Sequence, residues 1–120
     1  MPLHEVAAEH HRDTGRSLLQ DVVDRELSSP RIVSEGEAFF ACVPWFARYA
    51  YEVHVLPRRP VTSLVDLDDA ACRSLGLVLR DVVRRYDALW GLRMPYVLAV
   101  HQAPVGHHPH YPFHVELHPP

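Results

Sequence analysis

The chain has 120 residues, of which 48% are hydrophobic and 22% charged, a composition typical of one globular domain and not of a disordered segment. Its formal net charge is −3 with neutral histidines, which excludes the strongly basic surface expected of a nucleic-acid-binding domain. It contains no apolar run of 18 residues and no signal-peptide pattern at its start, so we expect no membrane partner and a cytoplasmic location. Cys42 and Cys72 form no motif, and we interpret them as free thiols in a reducing compartment.

Residues 1–29 predict a helical arm, and residues 30–120 predict the domain that follows it. The arm reads as two helices because the pair Thr14-Gly15 interrupts an otherwise helical pattern. Its second helix carries an apolar stripe that can pack against another surface. The residues of that stripe are Leu18, Leu19, Val22, Val23 and Leu27.

Three short strands follow the arm and predict an antiparallel meander. In the third of them, Val53 and Val55 face one side of the strand, whereas Glu52 and His54 face the other, because successive side chains alternate. The predicted strands span residues 31–33, 38–43 and 51–56.

The one long helix starts at Asp66 or Asp68, either of which can accept a hydrogen bond as its N-cap, and it ends at Gly91. The stretch Tyr96–Val100 is nearly all apolar, which predicts a central strand that delivers His101 at its end. In order, the chain has two helices, three strands, one helix and two strands. This order predicts an α+β fold, an antiparallel sheet with one principal helix.

The last strand, residues 113–118, alternates apolar and polar side chains. The alternation places His114, Glu116 and His118 on one face, where imidazole and carboxylate groups could bind a divalent metal or hold a phosphate. Six of the ten histidines fall in the last twenty residues, and this clustering indicates a site. An edge strand with a solvated polar face would show the same alternation, so that alternative stays open.

Several segments resemble the galactose-1-phosphate uridylyltransferase family, from about residue 9 to residue 120. The resemblance is to the C-terminal half of that enzyme, and it implies a histidine-triad-like half-domain. The segments that carry it are Arg31-Ile32-Val33, Phe39-Phe40-Ala41-Cys42-Val43-Pro44, Tyr51-Glu52-Val53-His54-Val55-Leu56-Pro57-Arg58, Arg84-Arg85-Tyr86-Asp87, Met94-Pro95-Tyr96, His101-Gln102-Ala103-Pro104 and His114-Val115-Glu116-Leu117-His118-Pro119-Pro120.

The resemblance implies part of a nucleotidyltransferase of galactose metabolism, which exchanges UMP between UDP-glucose and galactose 1-phosphate through a uridylyl-histidine. In the histidine-triad superfamily the nucleophile is the middle histidine of the closing motif, and Glu116 occupies that position here. An anionic phosphate would repel this carboxylate, and the family keeps its nucleophile in a His-Pro-His-Gly-Gln motif of its first half. We therefore assign no catalytic residue.

We expect the chain to be inactive alone, as a partial gene product, a split subunit or an excised half that forms a homodimer or associates with an N-terminal half. Two other interpretations stay open. One is a freestanding histidine-triad-like nucleotide hydrolase, against which Glu116 argues. The other is a non-catalytic metal-binding module.

By the same resemblance, His101, His114 and Glu116 correspond to a structural site for zinc or iron. Two imidazoles and one carboxylate are suitable ligands for either metal. The family's fourth ligand is a carboxylate at the start of the first helix, where Leu3 stands in this chain, so Glu5 is the nearest substitute. The alternative without a metal is a set of polar strand residues that hydrogen-bond to one another.

Two further features of the sequence could form sites. His108-Pro109-His110 spells part of the nucleophile motif, but Tyr111-Pro112 replaces its Gly-Gln, so we interpret this segment as a solvated, histidine-rich loop. Arg58 and Arg59 follow the third strand, where they could contact a phosphate or form a surface basic pair.

Overall fold

The computed structural model describes residues 3–15, 18–27, 31–44, 51–59, 61–91, 96–106 and 110–119. The predicted order of elements is confirmed, and the predicted strand bounds agree with the structure to within two residues at each end. None of the helices in these ranges is long and apolar enough to cross a membrane. The elements are α1 (Leu3–Thr14), α2 (Leu18–Leu27), β1 (Ile32–Glu35), β2 (Phe39–Cys42), β3 (Val53–Pro57), a 3-10 turn (Leu64–Asp66), α3 (Asp69–Trp90), β4 (Val97–His101) and β5 (His114–His118).

The five strands form one antiparallel sheet in the order β1-β2-β3-β5-β4. The prediction that Tyr96–Val100 is a central strand is wrong, because β4 lies at the edge and Val97 is 64% exposed. The reason is the position of α3, which packs mainly against β1, β2 and β3. The apolar side chains of β4 therefore lie outside the part of the sheet that this helix covers.

The main core lies between α3 and one face of the sheet. On β5 and just before it, Phe113, Val115 and Leu117 are fully buried, as the alternation of this strand predicts. Phe113 contacts Phe39 edge to face, with ring centroids 6.2 Å apart. Burial of this apolar surface supplies most of the favourable free energy of folding. The α3 residues in the same core are Leu75, Val78, Val82 and Tyr86.

The ends of α3 and its contact with the β1–β2 hairpin follow from a few residues. Asp68 is the N-cap and accepts a 2.8 Å hydrogen bond from the backbone N–H of Ala71, while Gly91 ends the helix in the left-handed conformation. At Gly36 a Cβ atom would lie 2.8 Å from Ser74 Oγ. Only glycine therefore allows the hairpin to approach the helix this closely.

The arm covers part of the opposite face of the sheet. Val23 of α2 is buried there against Phe40, Cys42 and Leu56. The two arm helices are separated by the predicted break at Gly15, which has a positive φ of 72°. The division of the chain into an arm and a domain at residue 29 stays a prediction. Cys42 and Cys72 are free thiols in the structure.

Candidate metal centre

The polar side chains of β5 lie on the face of the sheet opposite α3. Strand pairing brings donors from three strands to this place. Glu116 is opposite His54 of β3 on one side and Ala99 of β4 on the other, and His114 is opposite His101 of β4. Directly paired residues of antiparallel strands share a face. The fold therefore converts the alternation of β5 into a cluster of side chains that are distant in sequence.

Two groups of donors share Glu116, and we name them by burial. The outer cluster is His101, His114 and Glu116, the three residues predicted as metal ligands, and their ligand atoms all lie within 4.8 Å of one another. The Nε2 atoms of both histidines lie 2.8 Å from Glu116 Oε2. The rings of His101 and His114 are stacked, with centroids 4.6 Å apart. The structure thus brings these three residues together, and their assignment as metal ligands stays a prediction.

The inner cluster is Glu52, His54 and Glu116, whose ligand atoms also lie within 4.8 Å of one another. The side chains of Glu52 and His54 are only 7% and 8% exposed. The sequence predicts both residues on the polar side of the third strand, and neither was assigned to a site. The signal was their alternation with Val53 and Val55, but the pairing of β3 with β5 could not be deduced from it.

His118 lies between the two carboxylates. Its Nε2 atom is 3.0 Å from Glu116 Oε1, and its Nδ1 atom is 3.2 Å from Glu52 Oε1. The two oxygens of Glu116 therefore face different partners, since Oε2 faces the outer histidines and Oε1 faces His118 and, at 3.5 Å, His54.

Hydrogen bonding and burial shift the pKa values of several of these groups. The hydrogen bond from His114, together with the neighbouring imidazoles, lowers the pKa of Glu116 to about 2. Burial is the main cause that lowers the pKa of His54 and of His101 below 6.5. At neutral pH the cluster therefore contains a Glu116 carboxylate beside two imidazoles that favour their neutral form. Neutral imidazole and carboxylate are the forms that ligate metal ions.

A backbone feature fixes the segment just before β3, which contains Glu52. Tyr51 has a positive φ of 63°, which is uncommon for a residue with a side chain. The hydroxyl of Tyr86 in α3 donates a 2.6 Å hydrogen bond to the carbonyl oxygen of Tyr51. This bond ties the turn before Glu52 to the principal helix.

The remaining candidates lie apart from the two clusters. Glu5 is exposed on α1 and belongs to neither cluster. His110 stacks on His11 of α1, with ring centroids 3.9 Å apart, while His108 falls outside the described residues. Arg58 donates to the carbonyl oxygen of Gly36 at 2.9 Å, so it stabilises the β1–β2 hairpin, and the neighbouring Arg59 is exposed.

Comparison with known proteins identifies relatives of this arrangement. The family model described as the C-terminal domain of galactose-1-phosphate uridyl transferase matches residues 4–120. The galactose-1-phosphate uridylyltransferase of Hypocrea jecorina is 36% identical over 118 residues, covering 94% of this chain and 31% of that protein. The enzyme of the same name from Streptomyces lividans is 38% identical over 107 residues, covering 87% of this chain and 30% of that protein. The chain thus spans about a third of the length of these relatives.

Solved structures agree with the sequence relatives. A uridylyltransferase structure superposes with a TM-score of 0.88 at 28% identity, covering 96% of this chain and 36% of that one. A HIT family protein from Bacillus anthracis superposes with a TM-score of 0.66 at 14% identity, covering 87% of this chain and 72% of that one, which shows the fold alone. The predicted α+β, histidine-triad-like fold is thereby confirmed.

Proposed function

Because the chain belongs to the family of galactose-1-phosphate uridyl transferase C-terminal domains, we propose that it is the non-nucleophilic part of an enzyme that exchanges UMP between UDP-glucose and galactose 1-phosphate. In this proposal the domain contributes a scaffold, a structural metal and contacts to a nucleophile-bearing half, in the cytoplasm. The observation that carries it is Glu116 at the centre of the closing motif. With a pKa of about 2, its carboxylate is ionised at neutral pH and repels a phosphate, so it is unsuited to accept a nucleotidyl group.

The outer cluster is proposed to hold a structural zinc or iron ion. His114 supports this assignment because its Nδ1 atom lies 2.9 Å from the carbonyl oxygen of Pro112, which can only accept a hydrogen bond. Nδ1 therefore carries a proton, and Nε2 faces Glu116 Oε2 at 2.8 Å. Either a second proton on this ring, donated to Glu116, or a metal ion can occupy the space between Nε2 and the carboxylate. When bound, the ion would connect β4 to β5 and add its binding free energy to folding.

The exposed edge of β4 is proposed to contact the rest of the enzyme. Val97, Leu98 and Val100 are 64%, 41% and 42% exposed there, and an apolar edge strand is a template for pairing with another strand. An N-terminal half is the favoured occupant over a second copy, because the chain spans only 31% of the length of the Hypocrea jecorina relative.

Activity is tested by incubating the purified chain with UDP-glucose and galactose 1-phosphate and following UDP-galactose. We expect no turnover from the chain alone, and turnover when the preceding part of the Streptomyces lividans enzyme is added as a separate polypeptide. Turnover at about 1 per second or more by the chain alone would contradict the proposal. Loss of such turnover in His110→Ala would instead assign the nucleophile to the histidine-rich loop, while release of UMP from UDP-glucose without acceptor would favour the hydrolase alternative.

Edge pairing is tested with the same two polypeptides by size-exclusion chromatography with light scattering. Val97→Lys places a charge on β4 and is expected to reduce complex formation, whereas Val105→Lys, at a fully exposed position outside the strand, is the matched control. Equal complex formation by both variants would contradict the role of β4. A dimer of the chain alone that Val97→Lys dissociates would assign the edge to a second copy.

The structural metal is tested by elemental analysis of protein purified without a histidine tag. We expect about one zinc or iron ion per chain, reduced in both His101→Ala and His114→Ala and retained in His108→Ala, with a lower melting temperature after chelation. Absence of an ion from the wild type, or equal loss in the His108 variant, would leave a network of polar strand residues without a metal.

A further inference from the structure

The inner cluster has spacings between its donor atoms that suit a metal ion. His54 Nε2 lies 3.6 Å from Glu52 Oε1 and 3.5 Å from Glu116 Oε1, and both distances exceed the 2.7–3.2 Å range of ordinary hydrogen bonds. Two ligand atoms that are each bound at about 2.1 Å to one tetrahedral ion lie about 3.4 Å apart. The two distances from His54 Nε2 therefore match the edges of such a coordination polyhedron, and the two carboxylates offer ligand atoms within 4.8 Å of each other.

Burial adds a second argument. Side chains of Glu52 and His54 are 7% and 8% exposed, and that of Glu116 is 18% exposed. Two largely buried carboxylates that converge repel each other, and this favours a cation beside them in addition to the contacts that His118 makes with both. A divalent cation between them would supply two positive charges at the place where the carboxylates converge.

Glu116 connects this position to the outer cluster. Its Oε2 atom faces His101 and His114, while its Oε1 atom faces His54 and His118. A carboxylate that presents its two oxygens to separate sets of nitrogen donors is suited to bridge two ions about 3.5–4 Å apart, the separation usual in two-metal sites.

We infer that Glu52, His54 and Glu116 form a second divalent-metal site, joined to the outer site by the bridging carboxylate of Glu116. The proposed function requires only the outer ion, so this inference goes beyond it. The inner site offers two carboxylate oxygens and one imidazole nitrogen, a harder donor set than the two imidazoles and one carboxylate of the outer site, and it favours Mn²⁺ or Fe²⁺ more than the outer site does. His118 acts as a positioning residue, because its two ring nitrogens contact Glu52 and Glu116.

The test is titration of the chelator-treated full chain with Mn²⁺, with the free ion measured by electron paramagnetic resonance. We expect two ions per wild-type chain, with broadening or loss of the isolated-ion signal when both sites are filled, because a bridging carboxylate couples the two spins. Glu52→Gln and His54→Gln should each reduce the stoichiometry from two to one and restore the isolated-ion signal. Glu116→Gln should bind neither ion tightly.

The control and the outer-site variants separate the two proposals. Glu35→Gln changes a carboxylate whose side chain is 64% exposed on β1, and it should keep two ions. One wild-type ion that is lost in His101→Ala but kept in Glu52→Gln would overturn the inner site and retain the outer one. One ion with the opposite response would overturn the outer site, and no bound ion would overturn both. Circular dichroism melting of each variant shows whether it is folded, and because two independent inner-site substitutions are used, one unfolded variant does not prevent the test.

Discussion

The two faces of the sheet are made from alternate residues of the same strands, yet they differ in what holds them together. On the α3 face, Phe113, Val115 and Leu117 are buried among aliphatic side chains, where any group of similar size and polarity would pack. On the other face, His114 and Glu116 depend on particular atoms at 2.8 Å. The comparison indicates that the α3 face provides most of the stability, whereas the polar face provides chemistry at little net gain in stability.

Removing a large side chain from the α3 face should have the largest effect. In Phe113→Ala, a fully buried aromatic ring is replaced by a methyl group, so we expect the free energy of unfolding to fall by about 3–5 kcal/mol. Chemical denaturation measures this change in the free energy of unfolding. Val105→Ala, at a fully exposed position, should change it by no more than about 0.5 kcal/mol, and similar values for the two variants would contradict the role of this face.

A change in how α3 approaches the sheet should have an intermediate effect. In Gly36→Ala the added Cβ would lie 2.8 Å from both Ser74 Oγ and Val78 Cγ2, so we expect a loss of about 1–3 kcal/mol from overpacking. Gly76→Ala is the matched control, since a Cβ meets nothing within 4 Å at that helical position. It should raise stability by about 0.5–1 kcal/mol. The same sign in both variants would contradict the close approach at Gly36.

Loss of the N-cap of α3 should have a smaller effect. Asp68→Ala removes the acceptor for the N–H of Ala71 and should cost about 1 kcal/mol in thermal unfolding. Asp68→Asn keeps an acceptor oxygen and should remain within a few tenths of a kcal/mol of the wild type. Equal destabilisation by both substitutions would assign the effect to charge and not to capping.

Mild acid should have the smallest effect, and it should act mainly on the polar face. Since the folded-state pKa values of His54 and His101 are lowered from 6.5, the unfolded chain binds protons first, and stability should decline as pH falls below 6.5. Glu116, lowered from 4.5 to about 2, should add a second decline below pH 4.5. Denaturation of chelator-treated protein at a series of pH values from about 8 down to about 2 measures how stability changes across both declines.

The slope of stability against pH also distinguishes the polar face of the sheet from the α3 face. His54→Gln should flatten the decline below pH 6.5, whereas Val78→Ala, on the α3 face, should lower stability at every pH without changing the slope. A slope that His54→Gln leaves intact would show that the titrating groups lie elsewhere.

Local patterns predicted much of this architecture. The alternation of β5 is a property of adjacent residues, so it predicted that the side chains of His114 and Glu116 share one face of the sheet. The caps of α3, Asp68 and Gly91, could be predicted for the same reason. The resemblance to a family then added His101, which no local pattern connects to β5.

Pairing between distant strands could not be predicted in this way. Glu52 and His54 join the site only because β3 lies beside β5 in a register that sets His54 opposite Glu116. The edge position of β4 was missed for a related reason. An apolar sequence indicates that a strand prefers burial, but it does not indicate which surface will cover the strand. Val97 and Val100 are as apolar as a central strand requires and are nonetheless exposed.

Glu116 lies between His54 and Ala99 in the native register of β5. The sequence of this strand also favours that register over its neighbours during folding. Because side chains repeat every two residues, a slip of β5 by one position would turn Glu116 toward the aliphatic core and Val115 toward the imidazoles. Such a sheet would bury a carboxylate among hydrocarbons and expose apolar surface together, so both penalties discriminate against the nearest mispaired state. The polar residues of β5 thus destabilise the shifted register, and this effect does not require a bound ligand.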